Sequence, residues 1–178
     1  MLSVNVTSSE VSLKYSLPVL MYHHISPVPG PYTVHPDNFR EQLEWLKRKN
    51  YQFLTPDLFV KYYRSCHDAG HRAVMITFDD GWADNWFYAL PILEKMQVTA
   101  TLFLVTAWPG EEPTRKLDSK RELYFTHYDA MKMIDEESTR DKVIMRWSEI
   151  KESIESGIIE IECHSHFFMP TNTFIGEE

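Results

Sequence analysis

Two adjacent aspartates, Asp79 and Asp80, follow an apolar run rich in β-branched residues and precede Gly81. The run predicts a buried strand, and a strand ending in Asp-Asp-Gly delivers two acids to one edge of a sheet or barrel, because the chain turns there. Carboxylates this close repel each other and are usually separated by role, one on a cation and one accepting a proton. An Asp-Gly turn closing a hairpin is the alternative, but helix-like sequence follows where a hairpin needs a second strand.

Histidines lie at two other predicted strand ends. His164 and His166 follow one apolar run, and His23 and His24 follow another. A single histidine is more often structural, but two within three residues favour a metal site when an aspartate pair ends another strand. Neutral imidazoles plus one carboxylate, with one position left to water, form the usual catalytic zinc site. Zinc polarises a carbonyl and lowers the pKa of bound water, and a second carboxylate takes the water's proton.

The elements that must position these residues alternate between strand and helix. Periodicity predicts strands at 17–22, 51–54, 72–78, 99–105 and 158–163, and helices at 37–49, 55–64, 82–96 and 147–156. Pro91 predicts a kink or a restart within the 82–96 helix. This rhythm indicates an α/β fold with parallel strands, and such folds place their chemistry at the carboxyl ends of the strands, where the aspartates and histidines occur.

The regular rhythm breaks over residues 108–146, which we interpret as an insertion. Its charged part, residues 111–122, predicts an exposed loop. Thr126 and Asp129 have the spacing of a capping box that opens a helix, and residues 141–146 predict another helix. We therefore expect a flexible amino-terminal tail at 1–16 and a single domain at 17–178 that carries the insertion.

Composition excludes several classes of protein. The net charge is −8, and no cluster of lysines and arginines alternates with aromatic residues, which argues against binding to nucleic acid or to an acidic membrane surface. No stretch reaches transmembrane length, and no export signal is visible, so the compartment stays open. Two cysteines do not form a disulfide framework.

The ordered motifs resemble the NodB-like polysaccharide deacetylases, the family 4 carbohydrate esterases. The matching segments are Thr-Phe-Asp-Asp-Gly at 77–81, Leu-Met-Tyr-His-His-Ile at 20–25, Ala-Thr-Leu-Phe at 100–103, Trp-Ser-Glu-Ile at 147–150 and His-Ser at 164–165. The position of Tyr22-His23 near the amino terminus resembles the circularly permuted branch of that family. The resemblance implies a (β/α) barrel of the NodB-homology type, which we expect to be incomplete or distorted.

The resemblance also implies a role for each matching residue. Asp79 corresponds to the catalytic base, Asp80 to the metal-binding carboxylate, His164 to the first metal-binding histidine and His23 to the general acid, with His24 as the alternative acid. The implied reaction removes N- or O-acetyl groups from an acetylated amino-sugar polymer. The implied cofactor is a divalent metal ion, commonly zinc.

The sequence departs from the family pattern at the second metal-binding histidine, which is Phe168 here. The later motifs of the family do not occur before Glu178. Three hypotheses remain open: a truncated or frame-shifted product, a weakened enzyme with His166 as the substitute ligand, and an inactive carbohydrate-binding module. In the last case His24 and Trp82 are candidate sugar contacts. An incomplete barrel also predicts self-association through an unpaired strand edge.

Overall fold

The computed structural model describes residues 17–65, 72–117 and 125–167 of the chain. Its strands are β1 (Val19–Tyr22), β2 (His24–Ile25), β3 (Thr33–Val34), β4 (Gln52–Phe53), β5 (Ala73–Asp80), β6 (Ala100–Val105) and β7 (Ile159–Ser165). The main sheet has the order β1-β5-β6-β7 with every pairing parallel, and β4 pairs with the start of β5. The predicted parallel α/β architecture is therefore confirmed.

Helices connect these strands. They are α1 (Pro36–Arg48), α2 (Pro56–Ser65), α3 (Leu90–Met96), α4 (His127–Asp135), α5 (Glu137–Val143) and α6 (Trp147–Glu155). In α1, Phe39, Leu43 and Leu46 are buried at helical spacing, so the helix packs one apolar face on the sheet. Helix α5 begins earlier than the predicted helix at 141–146 and ends before Arg146.

The predicted helix at 82–96 is divided into two parts. A π-helical segment, Asn85–Ala89, precedes α3, and Pro91 lies in the first turn of α3. Proline has no N–H to donate, so it is tolerated at a helix start but not in a helix interior. Pro91 lies where π-helical bonding changes to α-helical bonding, but the backbone stays helical at Ala89 and Leu90, so the helix does not restart, and the π-helical segment was not predicted.

Two strands run further than their apolar pattern indicates. β5 includes Asp79 and Asp80, and β7 includes His164 and Ser165. Ladder pairing of both strands with β6 extends into these polar residues, since backbone hydrogen bonds do not depend on side-chain polarity. Asp79, Asp80 and His164 therefore lie in the last residues of their strands.

The sheet is open at both edges within the described residues. In the part of the chain that the structure describes, β1 pairs only with β5 and β7 only with β6, so these strands do not close a barrel, as expected for an incomplete one. A groove of about 1130 Å³ follows the free side of β1 and α1, where Met21 and Trp45 are exposed. None of the described helices combines the length and apolar character needed to cross a membrane.

The insertion packs onto the fold through its own small core. Trp82 and Trp108 are buried with α4 and α5 side chains, and Trp82 forms a bridge with Ile144. The capping box of Thr126 and Asp129 is confirmed. The exposed loop predicted at 111–122 needs correction at Arg115, whose guanidinium binds the buried Glu149; residues 118–122 lie outside the described part of the chain.

Candidate active site

The carboxyl end of β5 is held in an unusual backbone conformation. Asp80 has φ +76° and Gly81 has φ +94°, both in the left-handed region. A Cβ on Gly81 would lie 2.5 Å from Leu104 Cδ1, so a larger residue would have to displace that leucine and would also be strained at this φ. Left-handed φ at an aspartate is strained, and such strain persists only where surrounding structure holds it. The turn directs two consecutive carboxylates to the same edge of the sheet.

The structure brings His23 and His164 to opposite oxygens of one carboxylate. His23 Nε2 lies 4.0 Å from Asp80 Oδ2, and His164 Nε2 lies 3.8 Å from Asp80 Oδ1. Trp82 Nε1 donates a hydrogen bond of 3.1 Å to Asp80 Oδ2 and so helps to fix the orientation of the carboxylate. Three strand ends, those of β1, β5 and β7, thus converge on Asp80.

Asp79 lies in the same charge cluster and is buried to the same extent as Asp80. Burial raises the pKa of its carboxyl, and the nearby Asp80 raises it further, whereas His164 and His23 lower it. The net direction is upward, so the carboxylate is a stronger proton acceptor than a free aspartate. Asp79 is therefore suited to take a proton at this edge.

A bulge in β7 directs His164 toward Asp80. Cys163 pairs with Leu104 and Ser165 with Val105, so His164 is the extra residue between two successive pairs. His166 lies beyond the bulge, where its Nδ1 is 2.8 Å from Thr106 Oγ1. No ion pair joins His166 to Asp80 in the described ranges, and Phe168 falls outside them.

The donor chemistry of Asp80 and His164 fits two ligands of a divalent ion. Oxygen and nitrogen ligands about 2.1 Å from a tetrahedral zinc ion are roughly 3.4 Å apart, close to the 3.8 Å between His164 Nε2 and Asp80 Oδ1. No group of three or more potential metal-binding side chains occurs in residues 17–65, 72–117 and 125–167. Asp80 and His164 therefore remain two candidate ligands, and the described residues do not complete a metal site.

Trp82 and His24, the candidate sugar contacts, are both buried. Trp82 is fully enclosed, and His24 is 2% exposed with its ring 4.6 Å from the indole. His24 Nδ1 lies 2.8 Å from Oδ2 of the buried Asp84. In this structure neither side chain presents a face to a ligand, because the insertion covers Trp82.

His127 is a neighbour of the cluster that sequence reasoning missed. Its Nδ1 lies 3.1 Å from His24 Nε2, so Asp84, His24 and His127 form one hydrogen-bonded chain. Burial lowers the pKa of His127, and the nearby His24 and His23 lower it further. The sequence shows only that His127 follows the Thr126 cap at the start of a helix. Its contact with His24 joins residues 103 positions apart, so no local sequence pattern reveals it.

The chain is similar to known proteins in both sequence and fold. The sequence profile of the family described as Polysaccharide deacetylase matches residues 67–174. A putative polysaccharide deacetylase of Bacillus subtilis, YxkH, is 37% identical over 89 residues, which cover 50% of this chain and 32% of that protein. A poly-β-1,6-N-acetyl-D-glucosamine N-deacetylase of Staphylococcus aureus is 32% identical over 137 residues, covering 76% and 38% respectively. The chain thus spans about a third of the length of these curated relatives.

Two solved structures share the fold. IcaB from Ammonifex degensii superposes with a TM-score of 0.63 at 23% identity, over 84% of this chain and 53% of that one. The Streptococcus pyogenes deacetylase PplD, solved with acetate, gives a TM-score of 0.59 at 24% identity, over 83% and 55%. The chain therefore shares the fold of these two structures over about half of their length.

Proposed function

The chain belongs to the polysaccharide deacetylase family, and from this premise we propose that it removes N-acetyl groups from an acetylated amino-sugar polymer. The observation that carries the proposal is the convergence of His23 and His164 on Asp80, next to the buried Asp79. The Staphylococcus aureus relative is named for poly-β-1,6-N-acetyl-D-glucosamine, and we propose that class of polymer as the substrate.

We assign Asp80 and His164 to a divalent metal ion, with zinc as the favoured metal. When bound, such an ion polarises the acetyl carbonyl and makes a water easier to deprotonate. Asp79 takes the proton from the attacking water, which its raised pKa favours. His23 protonates the departing amine of the sugar, since its Nε2 faces the same carboxylate from the side of β1.

His23 is preferred to His24 as the general acid on hydrogen bonding and access. Both ring nitrogens of His24 are engaged, one by Asp84 and one by His127, and the ring is 2% exposed. A general acid must reach the leaving group within hydrogen-bond distance. The His23 side chain is 22% exposed and meets this condition, whereas the buried His24 does not.

A glycan-binding module without turnover is the second candidate. It is favoured by the hydrogen bond that holds His166 to Thr106, away from the position of a third ligand, and by Phe168 in the sequence. Such a module would bind glycan without catalysing the reaction. In that case glycan binding would survive replacement of Asp79 by asparagine and removal of metal.

Acetate release from poly-β-1,6-N-acetylglucosamine separates the two candidates. Zinc-loaded protein is expected to release acetate, and Asp79→Asn is expected to lower the rate by about 10²-fold or more, because the base is lost. The matched control is Asp135→Asn, which removes an exposed aspartate of α4 and should leave the rate unchanged. Equal acetate from unsubstituted protein and Asp79→Asn would overturn the enzymatic proposal.

A further inference from the structure

Three aromatic rings meet beside the candidate active site. The Tyr32 ring centroid is 5.5 Å from that of His23 and 4.8 Å from that of His127, and the two histidine rings are 6.4 Å apart. His23 links this group to Asp80. We call Tyr32 and His127 the ring pair. A ligand that touches the ring pair therefore lies next to the reacting groups.

His127 is held in place from the protein interior. Asp84 is buried and bonds His24, which in turn bonds Nδ1 of His127. The capping box of Thr126 fixes the first turn of α4, where His127 lies. Nδ1 of His127 is thus used in the protein interior, and the side chain is half-buried, so part of the ring faces outward.

Tyr32 is exposed and yet fixed. Its side chain is 61% accessible, and its backbone has φ +59°, a conformation that is strained for a bulky side chain. Its carbonyl accepts a 3.1 Å hydrogen bond from His24 N, and pairing of β2 with β3 continues through Thr33. A strained backbone that presents a large exposed ring beside a candidate active site is typical of a ligand contact.

We propose that the ring pair binds one sugar unit of the polymer, adjacent to the unit that is deacetylated. Tyr32 packs its ring against the C–H face of the pyranose, as amphipathic aromatic side chains do, and His127 Nε2 hydrogen-bonds a hydroxyl or acetamido group. This inference rests on the proposed function and assigns sugar contact to different residues from the buried Trp82 and His24. Both contributing segments, the β2–β3 loop and the insertion, lie at the same edge as Asp80.

Glycan affinity tests the ring pair directly. The full chain carrying Asp79→Asn, which prevents turnover, is titrated with a short β-1,6-linked N-acetylglucosamine oligosaccharide and followed by calorimetry. Adding Tyr32→Ala or His127→Ala should raise Kd about ten-fold, whereas Tyr32→Phe should retain binding, because the ring supplies the contact. The matched control is Tyr63→Ala, since Tyr63 is 69% exposed on the distant α2 and should not change Kd.

Each outcome bears on the inference separately from the reaction. Equal Kd for Tyr32→Ala and Tyr63→Ala would overturn the proposal that the ring pair binds sugar. No binding by the Asp79→Asn chain at all would overturn it as well. Acetate release with an unchanged KM in Tyr32→Ala would overturn sugar binding by the ring pair but would support the proposed reaction. Glycan binding that depends on Tyr32, with no acetate release by the unsubstituted chain, would support sugar binding by the ring pair and contradict the proposed reaction.

Discussion

The carboxyl ends of β5 and β7 both contribute to the candidate site, but they are supported very differently. All eight residues of β5 are buried, and the strand has partners on both sides. Among the described residues β7 pairs only with β6, most of its residues are accessible, and the His164 side chain is 37% exposed. The aspartates are thus fixed by the core, whereas the histidine depends on a bulge at an open edge.

This difference indicates that the candidate site is firmly held on the β5 side and weakly held on the β7 side. Asp80 is constrained by the turn at Gly81 and by the Trp82 indole. His164 is constrained by one ladder and by α6, which precedes β7. Substitutions on the β5 side should therefore change chemistry most, and those on the β7 side should reveal how its position is maintained.

Asp80→Asn is expected to have the largest effect on activity. The amide removes the negative charge shared by both histidines, so acetate release should fall by about 10³-fold, the scale of losing a main electrostatic contact at a reacting centre. The fold should persist, because repulsion with Asp79 is relieved. Circular dichroism melting with the acetate assay checks both points. Activity within ten-fold of the unsubstituted chain would contradict the assignment of Asp80.

Arg115→Met tests what holds the β7 side. Arg115 binds Glu149 of α6 through Nη2 at 2.7 Å, and the glutamate is fully buried. Leaving that charge unpaired should lower the free energy of unfolding by about 3–5 kcal/mol. Urea denaturation measures the change. Lys151→Met is the control, because its exposed pair with Glu155 contributes at most about 0.5 kcal/mol.

Gly81→Ala tests the turn on the β5 side. The new methyl would meet Leu104 in a left-handed backbone, so the free energy of unfolding should fall by about 1–3 kcal/mol. Gly157→Ala is the matched comparison: its φ is +70°, but nothing lies within 4 Å of the added Cβ. It should therefore be less destabilised. Equal losses in urea denaturation would show that Leu104 does not constrain the turn.

His166→Ala should have the smallest effect. His166 is exposed and bonds only Thr106 among its described side-chain contacts, so replacing it should change acetate release by no more than about two-fold. The comparison variant is His164→Ala, which should lose most activity. A large loss of acetate release in His166→Ala would instead identify His166 as the substitute metal ligand.

Local pattern predicted much of this molecule. The alternating elements, the buried run before Asp79 and the capping box at Thr126 follow from periodicity and caps, which act within a few residues. The convergence of strand ends followed from parallel topology. These features place Asp80 and His164 together without any knowledge of side-chain geometry.

Features that depend on distant contacts could not be predicted. The burial of Trp82 results from packing of the insertion, and the His24–His127 contact joins residues 103 apart. The bulge that turns His164 toward Asp80 arises from a register shift against β6. The exposed position of Tyr32 depends on a left-handed backbone that its side chain does not favour.

The most direct test of the site is its metal content. Elemental analysis of zinc-loaded chain, of His164→Ala and of His166→Ala measures ligands on the β7 side against the fixed β5 side. We predict near-stoichiometric zinc in the unsubstituted chain and in His166→Ala, and its loss in His164→Ala. Absence of zinc from the unsubstituted chain, or its retention in His164→Ala, would contradict the assignment of Asp80 and His164 to a divalent ion.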